Sequence, residues 1–417
     1  MESSPTFVIV GAGLAGAKAA QTLREEGFDG RVILLGAEPE RPYERPPLSK
    51  GLLLGTTPRP EVYVHDAGWY AANGVELRIA TRVTGIDRDL RQVILHDGER
   101  LGYDKLLLAT GSTPRHLDVP GTDLDGVRYL RTVADADRIA EALTAGAHVV
   151  VIGAGWIGLE IAAAARQLGA AVTVVETADL PLQRVLGNEV ARVFADLHRG
   201  HDVTFHFGVG VRQLRGAGRV SSVLLTDGTE LAAGTVVVGV GVRPDAALAE
   251  AAGLKVDDGI VTDARLRSSD PHIYAAGDVA NVHHPLLDRH IRVEHWANAL
   301  NGGPAAARSM LGQQVEYARL PYFFSDQYDL GMEYSGWVAP HGYDRVVFRG
   351  DPTVVDGRAP EFLAFWVRDG RVLAGMNANV WDVTDQIQAL VRAGHRGRVV
   401  DLDKLADPQV PLSDLLS

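Results

Sequence analysis

Short apolar runs closed by glycine alternate, up to about residue 320, with longer segments whose apolar positions recur at helical spacing. Such runs read as strands of a buried parallel sheet, and the segments after them as crossover helices. Residues 7–10 form the first run and lead into Gly11-Ala12-Gly13-Leu14-Ala15-Gly16. Residues 17–26 continue as a helix with Ala19, Ala20 and Leu23 on its apolar face, Gly27 and Gly30 end it, and residues 31–35 form a second strand. The same order recurs at domain-sized spacing. The run 149–152 enters Gly153-Ala154-Gly155-Trp156-Ile157-Gly158, residues 160–168 form a helix, and the strand 171–175 closes on Glu176. Short strands are predicted at 75–77, 83–86 and 92–95, with Asp97-Gly98 as a turn. Apolar strands also end at Ala109-Thr110-Gly111, at Gly239-Val240-Gly241 and at Gly277-Asp278, and a helix is predicted to start within 292–299. From residue 321 the texture becomes aromatic. Segments 321–328, 345–348, 361–367 and 371–376, separated by Gly and Asp turns, predict an antiparallel meander, followed by a helix over 384–393.

The pattern gives an α/β fold class with two Rossmann-like nucleotide-binding domains and a C-terminal α+β domain. The boundaries read as 1–113 and 245–320 for the first binding domain, 114–244 for the second, and 321–417 for the last. A chain of 417 residues has room for that many cores. Each G-x-G-x-x-G has a mechanical reading. The first glycine (Gly11, Gly153) permits the tight turn. The second (Gly13, Gly155) lets backbone approach a pyrophosphate, and the third (Gly16, Gly158) lets helix pack on strand. The helix N-terminus leaves N–H groups free to meet phosphate charge. Glu176 stands where an acid accepts both ribose hydroxyls and repels a 2′-phosphate, which favours NAD(H) over NADP(H). Glu38 is the nearest such acid in the first module. Two cradles imply two dinucleotides and electrons passed between them.

Composition narrows the chemistry. The absence of cysteine removes disulfide pairs, thiolate metal sites and cysteine-bound iron–sulfur clusters, so redox chemistry must come from a bound cofactor. A net charge of −12 disfavours nucleic acid. No apolar run is long enough to cross a membrane, and residues 1–6 lack the basic start of a secretory signal, so a cytoplasmic protein is expected. His283, His284 and His290 stand close in sequence without a spaced carboxylate motif, and no metal is expected. Lys50 follows Arg45-Pro46-Pro47-Leu48-Ser49, and a lysine on so stiff an element can pair with a buried carboxylate. Glu160, inside the second cradle's helix and facing inward, is the candidate partner. The two form the candidate catalytic pair. Asp278 can accept a ribityl hydroxyl. The helix predicted around Glu294-His295-Trp296 can aim N–H groups at a flavin carbonyl, with Trp296 beside the ring.

These motifs closely resemble those of the FAD-containing, NADH-dependent ferredoxin reductases of bacterial oxygenase and cytochrome P450 systems, the group of putidaredoxin, rhodocoxin and biphenyl-dioxygenase reductases. The resemblance covers essentially the whole chain, including Arg45 to Lys50, Ala109-Thr110-Gly111, residues 239–244, Ala276-Gly277-Asp278, Glu294-His295-Trp296 and Ser325-Asp326-Gln327-Tyr328. It implies the glutathione-reductase type of fold without its disulfide pair. It also implies FAD contacts at Ala15, Lys50, Val83, Arg131, Asp278 and Trp296, and NAD contacts at Gly155, Ile157, Glu176 and Gly239. The family usually has an aspartate where this chain has Ala37, a place Glu38 can fill, and often a tryptophan at Phe323 or Phe324. The implied partner is an acidic [2Fe–2S] ferredoxin serving an oxygenase or cytochrome P450, with Arg289, Arg292, Arg308 and Arg319 as candidates for a basic docking patch and either a monomer or a homodimer as the working form. From the residues alone, an NADH oxidase or other cysteine-free flavin reductase and a non-catalytic, redox-responsive nucleotide-binding protein remain open.

Overall fold

Phe7, Val8, Ile9 and Val10 are all buried, as a strand covered on both faces requires. The computed structural model describes residues 4–416 and divides into two units. One takes in the chain up to Arg45, then Arg59–Thr113 and Val242–Arg319. The other takes in Pro46–Pro58, Pro114–Gly241 and the chain from Leu320 onward.

In the first unit the strand Thr6–Val10 is the centre of a five-stranded parallel sheet. Arg31–Leu35 and Val75–Arg78 lie to one side, and Lys105–Leu108 and Ile273–Ala275 to the other. The reversal of strand order beside Thr6–Val10 opens a crevice at the carboxyl ends of the strands, where such sheets bind ligands. The helix Leu14–Glu25 packs on the helix Trp296–Met310. Their approach is set by Gly303, where an added Cβ would stand 2.1 Å from the Ala15 carbonyl oxygen. That second helix begins at Trp296, inside the stretch 292–299 where its sequence predicts a start but not at the first residue of it. Arg289–Arg292 instead pairs antiparallel with Ala280–His284, and a hairpin cannot turn helical until its ladder ends. A separate antiparallel sheet holds Val83–Asp87, Gln92–Leu95 and Arg100–Gly102.

The second unit repeats the design. His148–Ile152 is flanked by Ala171–Glu176 and Thr204–Phe207 on one side and by Thr235–Val238 and Val127–Tyr129 on the other, all parallel. Its C-terminal part is a five-stranded antiparallel sheet over which the helix Thr384–His395 packs. The order is Tyr322–Gln327, Leu330–Gly336, Arg371–Ala378, Phe362–Arg368, Arg345–Gly350. This differs from a meander. Leu330–Gly336 is an additional strand, and Arg371–Ala378 takes the centre because it pairs on both edges. The helix Gln183–Gly200 breaks at Gly187, whose φ of +77° leaves the helical region. The indole N–H of the fully buried Trp366 donates to the Leu186 carbonyl at 3.0 Å. Among the described residues no helix is long and apolar enough to cross a membrane.

His198, near the end of the same helix, is fully buried against Gln327 and Tyr328. Burial pushes its imidazole from 6.5 down to about 4, with the Gln327 hydrogen bond opposing the shift and His201 adding to it. The folded protein therefore resists a proton that the unfolded chain accepts. The associated stability is complete above 6.5 and drains as pH falls toward 4, by at most about 3 kcal/mol. Denaturant titrations across that window test this: the His198→Phe protein is expected to lose about 2 kcal/mol less than the parent between the two ends.

Candidate functional site

The two glycine motifs build matching backbone pockets. Gly11, at φ +113°, lies so close to the neighbouring strand end that a Cβ would meet the Ala109 carbonyl oxygen at 2.1 Å. A Cβ on Gly16 would meet the Gly11 carbonyl oxygen at 2.0 Å, so this glycine seats the helix against its own turn. Around Gly13 the same construction meets nothing within 4 Å. The motif thus closes tightly at both ends and stays open in the middle, where a diphosphate is expected. Gly13 caps Leu14–Glu25 without a side-chain bond, leaving the first-turn N–H groups, on Leu14 and Ala15, for an anion.

Other groups converge on this crevice. Glu38 is held by the Tyr43 hydroxyl at 2.5 Å and by Arg45 Nη2 at 2.9 Å. Thr110 Oγ1 donates to the Asp245 carbonyl at 2.6 Å, and Gly111 takes a left-handed φ of +74°. Gly277, at φ +77°, reaches Ala15, and the adjoining Asp278 accepts the Ser112 hydroxyl at 2.8 Å. The helix from Trp296 is capped by His295, and the Trp296 indole donates to Glu44 at 3.0 Å. Burial lifts the Glu294 carboxyl above its usual range, with Arg292 opposing and Asp278 and Asp258 adding repulsion. Val83 is buried in its strand. An open diphosphate seat, an acid at the end of the second strand and a Gly-Asp turn fit FAD. Lys50 and Arg131, which the resemblance also assigned to FAD, belong to the other unit.

In the second unit a Cβ on Gly153 (φ +99°) would stand 2.4 Å from the Gly239 carbonyl oxygen, and one on Gly158 2.1 Å from the Gly153 carbonyl oxygen, while Gly155 is open. Glu176 ends the second strand and reaches back across the turn, accepting from the Ala154 N–H at 2.8 Å and the Ala178 N–H at 2.9 Å. Ile157 and Val240 are among the few large apolar side chains left exposed, and Gly241 (φ +96°) follows. Exposed apolar groups beside an open diphosphate seat fit NAD. The Trp156 ring packs against Phe194 and Phe323, at 5.6 Å and 5.0 Å between centroids.

Glu160, two residues past Gly158, is 4% exposed. Lys50 Nζ lies 2.8 Å from its Oε1. The Ser49 hydroxyl donates to Oε2 at 2.5 Å and the Ser325 hydroxyl to Oε1 at 2.7 Å. Lys50 Nζ also lies 5.4 Å from the Phe324 ring centroid, a cation–π distance. Leaving such a carboxylate buried without partners would cost several kcal/mol, so three donors on two oxygens is the arrangement burial demands. Sequence reading found the Lys50–Glu160 pair and missed its two hydroxyl partners. The only sequence signal for Ser325 is that it and Gln327 alternate onto one face of their strand.

Among the described residues no group of three His, Asp or Glu could hold a metal. His283 and His290 meet ring to ring, while His284 is buried and bonds the Arg319 carbonyl. The expected basic patch is altered by pairing. Arg292 bonds both Glu294 and Asp258, and Arg308 bonds Glu26 at 2.7 Å.

Comparison with known proteins matches residues 5–303 to the family model described as pyridine nucleotide-disulphide oxidoreductase and residues 322–416 to the one described as reductase C-terminal. The chain is 42% identical to the ferredoxin–NAD(+) reductase component of the anthranilate 1,2-dioxygenase system of Burkholderia cepacia, over 99% of this chain and 100% of that one. The crystal structure of the covalent putidaredoxin reductase–putidaredoxin complex superposes with a TM-score of 0.92 at 38% identity, covering 100% and 99% of the two chains. The ferredoxin reductase for the CYP199A2 system from Rhodopseudomonas palustris superposes with a TM-score of 0.92 at 36% identity, covering 99% and 100%. With two dinucleotide cradles, no cysteine and the matching C-terminal domain, this chain belongs to the FAD-dependent NADH:ferredoxin reductases related to putidaredoxin and rhodocoxin reductases.

Proposed function

We propose that the cradle at Gly11, Gly13 and Gly16 holds FAD, that the cradle at Gly153, Gly155 and Gly158 receives NADH, and that a [2Fe–2S] ferredoxin is the electron acceptor. As in its family, the enzyme moves a hydride from NADH to FAD and relays electrons to a ferredoxin that serves an oxygenase or cytochrome P450. Bound FAD supplies the one chemistry no side chain here has, accepting an electron pair and releasing it singly. The observation that carries the residue assignment is the doubled pocket, closed by contact at its outer glycines and open at the middle one.

The residues have separable tasks. Leu14, Ala15 and Gly16, and in the second cradle Ile157 and Gly158, present backbone N–H groups to phosphate. Glu38 and Asp278 accept hydroxyls of the flavin cofactor's sugars, and Ala109, Thr110, Gly111 and Gly277 shape the strand ends around it. Glu176 accepts the ribose hydroxyls of NADH and repels a 2′-phosphate, exchanging its bonds to the Ala154 and Ala178 N–H groups for the ligand. Lys50, fixed by Glu160, would offer bound FAD a positive charge that is already in place.

Stopped-flow mixing of the flavin-loaded protein with NADH or NADPH, followed by ferredoxin, tests this reading: NADH is expected to bleach the flavin faster, and NADPH as the faster reductant would overturn the role of Glu176. Glu176→Ala is expected to weaken NADH binding about tenfold and to narrow the preference for NADH by a similar factor. The two cradle glycines should fail differently. Gly155→Ala is expected to keep its thermal midpoint while losing NADH affinity, because its methyl enters open space that phosphate needs. Gly158→Ala is expected to lose on the order of 2 kcal/mol of stability, because its methyl meets backbone. Calorimetry and NADH titration of both proteins check the contrast.

A further inference from the structure

A file of hydrogen bonds runs through the second unit to Glu160, and every member donates in the same direction. The Ser325 hydroxyl has one proton, and Glu160, a carboxylate, can only accept it, at 2.7 Å. Ser325 Oγ must therefore accept from Gln327, whose Nε2 lies 3.1 Å away. That fixes the amide: its oxygen faces His198 Nε2 at 2.8 Å, so His198 carries its proton on Nε2 and leaves Nδ1 as an acceptor. The Tyr328 hydroxyl lies 3.3 Å from that Nδ1, and its ring stacks on His201 at 3.6 Å. Ser325, Gln327 and His198 are each at most 1% exposed. The depressed imidazole, held neutral down to about 4, agrees with this tautomer.

We propose that Ser325, Gln327 and His198 are positioning residues for the Lys50–Glu160 pair, a relay by which the C-terminal domain and the helix Gln183–Gly200 hold the Glu160 carboxylate in the one orientation that pins Lys50 Nζ. The inference rests on the reading of Lys50 given above and extends it to groups that touch neither nucleotide. A buried carboxylate can rotate about its last torsion. Ser49 anchors Oε2, and among the described residues only Ser325 and Lys50 are seen to meet Oε1. Without the Ser325 proton the position of Oε1 depends on Lys50 alone, and the ammonium and the carboxylate move together. Bonds aligned in one direction polarise one another, so Gln327 and His198 strengthen the terminal contact as well as orient it. A role confined to packing would require none of this directionality. Tyr328 extends the file to a less buried position, where its ring is held by His201.

The test uses the flavin-loaded enzyme with Ser325→Ala, Gln327→Leu and Ser325→Thr, the last retaining the hydroxyl while adding volume. The first readout is acetylation of lysine amines by an N-hydroxysuccinimide acetate, followed peptide by peptide, with the exposed Lys255 and Lys404 as internal references. Lys50 is expected to react about fivefold faster in the first two proteins and at the parental rate in Ser325→Thr. The second readout is the limiting rate of flavin reduction by NADH. It is expected to fall about tenfold in the first two proteins with the half-saturating NADH concentration unchanged within about twofold, and to be restored in Ser325→Thr. Lys50 acetylation unchanged in both Ser325→Ala and Gln327→Leu would overturn the relay. So would a Ser325→Thr protein as impaired as Ser325→Ala, since that is the signature of packing. Faster acetylation with an unchanged reduction rate would uphold the relay and instead overturn the role given to Lys50 in hydride transfer. Ser325→Ala removes two hydrogen-bond contacts and no carbon, so it serves should Gln327→Leu, which orphans the His198 N–H, fold poorly.

Discussion

The buried carboxylate of Glu160 is the constraint from which much of the second unit follows. A charge with almost no exposure must be met on every oxygen, and its own helix supplies only backbone already used in the helical ladder. The partners come from places far apart in the chain: Ser49 and Lys50 from the Pro46–Pro58 segment, and Ser325 from the first strand of the C-terminal sheet. Those contacts help explain why a short proline-stiffened segment leaves the first unit, in which its neighbours on both sides lie, to join the second. They also explain why the strand Tyr322–Gln327 carries two buried polar residues on one face. Two more links join the C-terminal sheet to the nucleotide-binding part of that unit. Trp366 takes up the carbonyl of Leu186, next to the break at Gly187, and the Trp156 ring meets Phe323.

The parts legible in the sequence are those whose physics is local. A run such as Val149 to Ile152 is apolar at every position because both faces of the strand are covered. The glycine spacing is legible because the first and third glycines answer to backbone a few residues away or at the next strand end, as Gly16 does to the Gly11 carbonyl. The doubling of the module, the acid at Glu176 and the pairing of Lys50 with a buried carboxylate all follow from spacing of this kind. The resemblance added the identity of the cofactors, which geometry alone leaves at the level of two dinucleotides.

What escaped was set by pairing at long range. The start of the helix at Trp296 depends on Arg289–Arg292 finding Ala280–His284, and nothing within residues 292–299 announces that hairpin. The strand Leu330–Gly336 did carry a signal, the alternation of Leu330, Met332 and Tyr334, which its glycines and the adjoining turn obscured. Its neighbour in the sheet, Arg371–Ala378, is legible as a strand, but its central place is not, since that depends on pairing at both edges. Ser49, Ser325, Gln327 and His198 are ordinary polar residues until folded, and only the directions of their hydrogen bonds distinguish them from satisfied core groups.

The pairing of the arginines bears on how an acidic partner would meet this protein. A chain of net charge −12 repels such a partner at separations up to about the Debye length, so attraction must come from cations whose field is not cancelled nearby. Arg292 lies between Asp258 and Glu294 with 11% of its side chain exposed, and Arg308 is matched by Glu26. The Arg308–Glu26 pair presents a dipole, whose field decays faster with distance than that of a charge, and Arg292 meets two acids at once. These two arginines therefore contribute to the architecture around the first cradle more than to long-range steering.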